Sequence, residues 1–320
     1  MWGCGANVFT RRTGALFVVS ALLFGGTFVA ARIGLEYLPP LFFVALRFDL
    51  GAIVLLTFAA ATLSREELQP RTLGDVVGIL ATGVIVIGLT NALLFVGQQY
   101  VTSGVAAVVF SLNPILTPVF AALLLSEGRL PVRGAVGMGL GLLGVVLVAD
   151  PGSVALLGGG LGVPLVFGAA VVSALGAVVI RRADATLSST ARTVWGVPLA
   201  AVLSHGLSYA AGESVIGLSL PPVALAALLY VGVGSGAVAY LTYFALIDEA
   251  GATEANLMFY FVPVVSAIGG FVLLGETLSI GSIVGFVIIF AGFLLVSGLP
   301  AAFTTPFKRS VRDRLAHLGI

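Results

Sequence analysis

Two charges stand inside an otherwise apolar run of this chain, Arg47 and Asp49 within residues 41–63. A charge at the centre of a bilayer costs roughly 2.5–3.5 kcal/mol on insertion scales, so such residues usually serve a purpose. For Arg47 the functional reading is a gate or an anion contact facing a cavity. The plainer reading is a side chain that snorkels to the outer headgroups, and its place near the start of the run favours that one. Asp49 is about 200° round a helix from Arg47, at about 100° per residue, so the two cannot pair on one face. Asp49 reads as the deepest acid in the chain. It is a candidate for proton coupling, with a hydrogen-bonded structural carboxylate as the alternative.

Uncharged polar residues recur at helical spacing in neighbouring runs: Asn91 and Gln98; Asn113 and Thr117, with Phe110 a turn earlier; Tyr240 and Tyr243; Asn256 and Tyr260. Ser20, Thr27 and Ser173 add to them. Spacings of three, four and seven place each set on one face. Lipid offers such a face no partner, so it must meet protein or water. A substrate cavity is one reading, and interhelical hydrogen bonds are the other. For Asn256 and Tyr260 the cavity is favoured.

Glu127 and Glu276 each close an apolar run. They read as the cap or first turn of the helix that follows, where a carboxylate suits the helix dipole. The functional alternative is a pair of gate latches, one on each side of the membrane. Pro114 and Pro263 fall in mid-run and remove a backbone donor, so they are hinge candidates or simple kinks.

The elements that must position these residues follow from composition. Apolar residues make up 59% of the chain and charged residues 9%, against about 25% charged in soluble domains. Stretches long enough to span a bilayer fall at 14–33, 41–63, 74–97, 103–125, 132–149, 161–180, 191–210, 223–247, 253–274 and 281–299. The apolar run after Arg11-Arg12 lacks a convincing cleavage site and reads as the first span rather than a secretory signal. Cys4 is the single cysteine, so no disulfide can form within the chain. The glycine pairs Gly137/Gly141 and Gly281/Gly285 suit close helix packing, with a homodimer contact as the second reading.

The chain repeats itself at an offset of 149 positions. Leu124-Leu125-Ser126-Glu127 returns as Leu273-Leu274-Gly275-Glu276, Pro114 as Pro263, and Gly83-Val84 as Gly232-Val233. Five spans per unit is an odd number, so the halves must be inverted. The loop after the fourth span carries Arg129 and Arg133, whereas the loop after the ninth carries no basic residue. With the N-terminus inside, 13 of the 15 basic residues lie on the cytoplasmic side, and Arg32 and Arg47 are the exceptions. The positive-inside rule therefore puts both termini in the cytoplasm. The expected architecture is all-α, with ten transmembrane helices as two inverted five-helix repeats. Residues 1–13 form a cytoplasmic segment, 14–150 and 151–299 the repeats, and 300–320 a basic cytoplasmic tail. Inverted repeats point to alternating access around a central site.

Over residues 14–299 the chain resembles the EamA-type permeases of the drug/metabolite transporter superfamily. The resemblance rests on the ten-span plan, the Leu-Leu-x-Glu endings, Ala45-Leu46-Arg47-Phe48, and the glycine-rich runs 134–144 and 281–292. Asp49 and Ser126 depart from the family pattern. The resemblance implies a plasma-membrane permease, multi-pass, exporting amino acids or related small metabolites. Phe110, Phe259, Tyr240, Tyr243 and Tyr260 suggest a small neutral, zwitterionic or amphipathic solute. A channel or facilitator, an intramembrane enzyme and a structural membrane protein are the alternatives. No HExxH or GxxxxGK[ST] motif occurs in the chain, and Val233 breaks the rhomboid-like reading of Gly234-Ser235-Gly236. Neither a cofactor, a metal nor nucleic acid has support in the sequence.

The orientation is testable by labelling. In a Cys4→Ala background, cysteines introduced at Ser153 and Ser214 should each react with an impermeant reagent added outside intact cells. Labelling of both only after the membrane is opened would reverse the topology.

Overall fold

The computed structural model describes residues 11–125, 132–149, 160–250, 257–277 and 279–297. Its regular structure among these residues is helical. In chain order the helices are α1 (Arg11–Gly34), α2 (Pro40–Thr62), the one-turn α3 (Arg65–Leu68), α4 (Leu73–Gln98), α5 (Ser103–Leu124) and α6 (Val132–Ala149). Then follow α7 (Gly162–Arg182), α8 (Ser189–Ala210), α9 (222–250), α10 (Phe261–Leu274) and α11 (Ile280–Ser297). Six described helices are long and apolar enough to cross a membrane: α1, α2, α4, α5, α7 and the first 22 residues of α9. α10 and parts of α6 and α11 are shorter apolar helices. Large apolar side chains on their outer faces, such as Ile53, Val202, Phe271 and Val287, are exposed, as a lipid-facing surface requires.

Two helices depart from α geometry, and they do so at equivalent places. Ala81–Leu89 of α4 and Tyr230–Val238 of α9 are π-helical, and the repeat offset carries one onto the other. The Thr90 N–H reaches back five residues to Ile85 O, and the Ala239 N–H to Gly234 O. The Thr90 hydroxyl also donates to Ile85 O, at 3.1 Å. Apolar periodicity alone does not distinguish these wide turns from α-helix. The fourth predicted span is likewise not one rod. α5 is α-helical over Ser103–Phe110 and again over Asn113–Leu124, with a turn at Ser111 and Leu112 between. Pro114 therefore starts the second segment instead of kinking the middle of a helix. Pro263 is the third residue of α10, which a 3-10 turn at Leu257–Tyr260 precedes.

Glycine sets the helix spacing. A Cβ on Gly83 would lie 2.6 Å from Gly196 O, bringing α4 onto α8. The equivalent Gly232 of α9 would meet Leu50 Cβ at 2.9 Å and Arg47 O at 3.3 Å on α2. The glycine pairs of α6 and α11 are spent on each other: a Cβ on Gly292 would lie 2.6 Å from Gly137 O, and one on Gly144 2.7 Å from Gly285 O. These glycines thus pack helices within the chain and carry no argument for a dimer.

Gly83→Ala should lower stability by about 1–3 kcal/mol, the range of overpacking costs, because the new methyl meets backbone. Gly206→Ala has nothing within 4 Å and should be neutral. Thermal unfolding of the two purified variants in detergent separates them.

Candidate functional site

Arg47 does not snorkel. Only 8% of it is exposed. Its Nη1 donates to Asn91 Oδ1 at 2.9 Å, joining α2 to α4. The guanidinium carbon lies 5.2 Å from the centre of the Phe48 ring and 5.3 Å from that of Phe95, so the charge is stabilised by π faces. Its Nε is buried and has no hydrogen-bond partner among the described residues. An unmet buried donor costs about 1–3 kcal/mol. Among the described residues no carboxylate forms an ion pair with this guanidinium.

Asn91 follows the π-helical segment of α4 by two residues, and its Nδ2 donates to Ile87 O at 2.8 Å, leaving Oδ1 for Arg47. The repeat offset carries Asn91 onto Tyr240, two residues after the π-helical segment of α9. Tyr240 belongs to an aromatic cluster that spans α1, α9 and the turn before α10. The Phe24 ring stands edge-on to Tyr240 at 5.2 Å and to Tyr243 at 6.3 Å, and Phe259 lies 5.7 Å from Phe24 and 5.4 Å from Tyr243. A recess of ≈ 120 Å³ between α2, α8 and α9 adjoins Tyr240, with Leu55, Phe58, Thr190, Thr193 and Leu241 as its other walls.

The remaining sequence candidates divide. Phe110 is half-buried with its ring 6.3 Å from Phe28. Asn113 and Thr117 are half-buried and bonded to each other: the Thr117 hydroxyl donates to Asn113 O at 2.9 Å and to Oδ1 at 3.1 Å. Thr27 turns back to Leu23 O at 3.0 Å, and Ser173 is half-buried on α7. Gln98 is fully buried and donates through Nε2 to Phe28 O, so it ties α4 to α1. Glu127 and Asn256 lie outside the described residues, as does the Tyr260 side chain.

Asp49, in the middle of α2, is not buried in the protein. It is 42% exposed and lies 2.9 Å from His205 Nε2 on α8. Among the described residues the buried acid is Asp75. Its carboxylate accepts N–H bonds from Arg71 and Thr72 at the start of its own helix, and from Thr186 and Leu187 ahead of α8, at 2.7–2.9 Å. Thr72 and Asp75 three residues later form a capping box, a signal readable in the sequence.

Glu276 also departs from expectation. It caps α5, not the helix that follows it. The Ser103 N–H donates to both carboxylate oxygens at 3.1 and 3.0 Å, and the Ser103 hydroxyl donates to Oε2. Arg32 Nε is 4.0 Å away, and Arg32 Nη1 reaches Gln99 O at 3.0 Å. A third acid acts in the same way at the start of α2. Pro39 and Pro40 offer that helix no cap, and Glu213 accepts the Leu41 and Phe42 N–H bonds at 3.0 and 2.8 Å.

The EamA-like transporter family matches twice, over residues 12–149 and 160–298. The chain belongs to that family. An uncharacterized transporter of Archaeoglobus fulgidus is 26% identical over 88% of this chain and 97% of its own length. The uncharacterized transporter YyaM of Bacillus subtilis is 30% identical over 86% of this chain and 90% of its own. YedA of Escherichia coli, an uncharacterized inner membrane transporter, is 30% identical over 83% of this chain and 84% of its own. A protein of known crystal structure superposes with a TM-score of 0.59, covering 89% of this chain and 97% of that one. At 22% identity the likeness speaks to the fold alone. This EamA-like chain is thus a multi-pass cell-membrane protein with a role in transport, its surroundings lipid and its substrate a small molecule.

Proposed function

We propose that this EamA-like protein is a secondary transporter that exports a small metabolite, such as an amino acid, by alternating access between two inverted five-helix repeats with both termini in the cytoplasm. The observation that carries the proposal is the equivalence of the two π-helical segments, each ending two residues before a polar side chain, Asn91, bonded to Arg47, or Tyr240, beside the recess between α2, α8 and α9. Wide turns in membrane helices mark functional sites, and irregular backbone is tolerated at membrane depth where it is buried in protein or lines a cavity. The acid ties favour inversion too. Asp75, in the first turn of the third span, holds the segment ahead of the seventh; Glu213, between the seventh and eighth, caps the start of the second. The segments bearing the two acids exchange under the repeat but lie on opposite sides of the membrane.

On this reading, Glu276, Ser103 and Arg32 close the outer end. Two experiments test it. A proteoliposome screen of amino acids and other metabolites, with and without a pH gradient, should find a solute whose flux requires the protein. In the Cys4→Ala background, cysteines at Ser103 and Glu276 joined by a short thiosulfonate cross-linker should stop that flux, and reductant should restore it. Undiminished flux in the cross-linked protein would show that the outer end need not open, as in a fixed channel.

A further inference from the structure

We infer that the solute carried by this protein bears a carboxylate or like anionic group, which docks on Arg47, and an apolar or aromatic body that lies towards Phe24, Tyr240, Tyr243 and Phe259. This rests on the proposed transport pathway and adds the substrate's chemistry to it. The cation is built in, since Arg47 is more than nine-tenths buried, yet its one hydrogen bond among the described residues goes to a neutral amide. Among the described residues its Nε points to no acceptor. The acids of the surroundings are engaged elsewhere: Asp49 with His205, Glu213 with the start of α2, Glu276 with Ser103. A guanidinium presents two parallel donors to a carboxylate, and Nη1 alone is taken here.

The site is one-sided. The repeat offset carries Arg47 onto Gly196, which is packed against Gly83 and has no side chain to offer. Arg47 and Asn91 each lie roughly 10 Å from the nearby ends of α2 and α4, at 1.5 Å per residue. Tyr240 and Tyr243 lie near the opposite end of α9. The pathway thus has its cation towards one end and its tyrosines towards the other, which suits an amphipathic anion and orients it.

Equilibrium dialysis of the purified protein in phosphatidylcholine nanodiscs at neutral pH, with radiolabelled phenylacetate as the probe, tests this. Binding should be saturable, and unlabelled phenylacetate should compete about ten-fold or more better than phenylacetamide, its uncharged counterpart. Arg47→Lys should retain weakened binding, and Arg47→Met should lose it. The competition arm uses the wild-type chain, so it stands even if Arg47→Met does not fold. Equal competition by the amide, or binding unchanged in Arg47→Met, overturns the inference. Absence of saturable phenylacetate binding to the wild type also overturns it, without touching the proposed transport role, which the flux screen judges on its own. Phenylacetate binding without flux of any solute would leave the anion site standing and remove the transport reading.

Discussion

Hydrocarbon gives a peptide group nothing to bond to, and both the acids and the irregular turns of this chain are placed accordingly. Every helix start carries N–H groups without intrahelical partners. Where the local sequence lacks a cap, as at α2, a carboxylate from a distant loop supplies it, Glu213; at α5, Glu276 adds to the local cap of Thr102. Asp75 serves its own helix and the start of α8 together. Each such bond closes a helix end and at the same time fixes two distant segments at one face of the membrane. Most acids in the described part of the chain that look like candidates for chemistry are therefore bound to backbone.

The interior obeys the same constraint differently. The π-helical turns of α4 and α9 leave the regular ladder, and their polar side chains make up the difference. The Thr90 hydroxyl donates to Ile85 O, and the Ser235 hydroxyl to Val231 O. Beyond each wide turn the helix face is rotated, so Asn91 meets Arg47 and Tyr240 meets the Phe24 cluster. Glycine lets the neighbouring helices close in beside these turns, at Gly83 against Gly196 and at Gly232 against Leu50.

The halves are similar in backbone and dissimilar in chemistry. Arg47 has glycine as its equivalent, and Asn91 has tyrosine. A pseudosymmetric frame allows two arrangements of similar energy, which alternating access needs. On the proposed transport reading, the unlike side chains would give the pathway its polarity. Packing draws on the glycines and acid caps, and selectivity on that reading on one arginine and a set of rings.

Much of this was legible in the sequence. Composition and apolar run length determined a membrane-spanning helical bundle, because burying so many apolar groups with so few charges admits little else. The repeat offset, Pro114 against Pro263 and Leu-Leu-x-Glu against itself, was readable because related helices keep their punctuation. Asn91 and Tyr240 stood out as polar residues on apolar faces. The tertiary structure alone decided what each polar group meets. It buried Arg47 against Asn91 instead of letting it reach the headgroups, set Asp49 beside His205, made Asp75 a buried cap, and turned Glu276 towards α5. Helical spacing specifies a face of one helix but not the helix opposite. A charge's cost, and a carboxylate's partner, depend on contacts between segments more than a hundred residues apart, and local pattern carries no record of them.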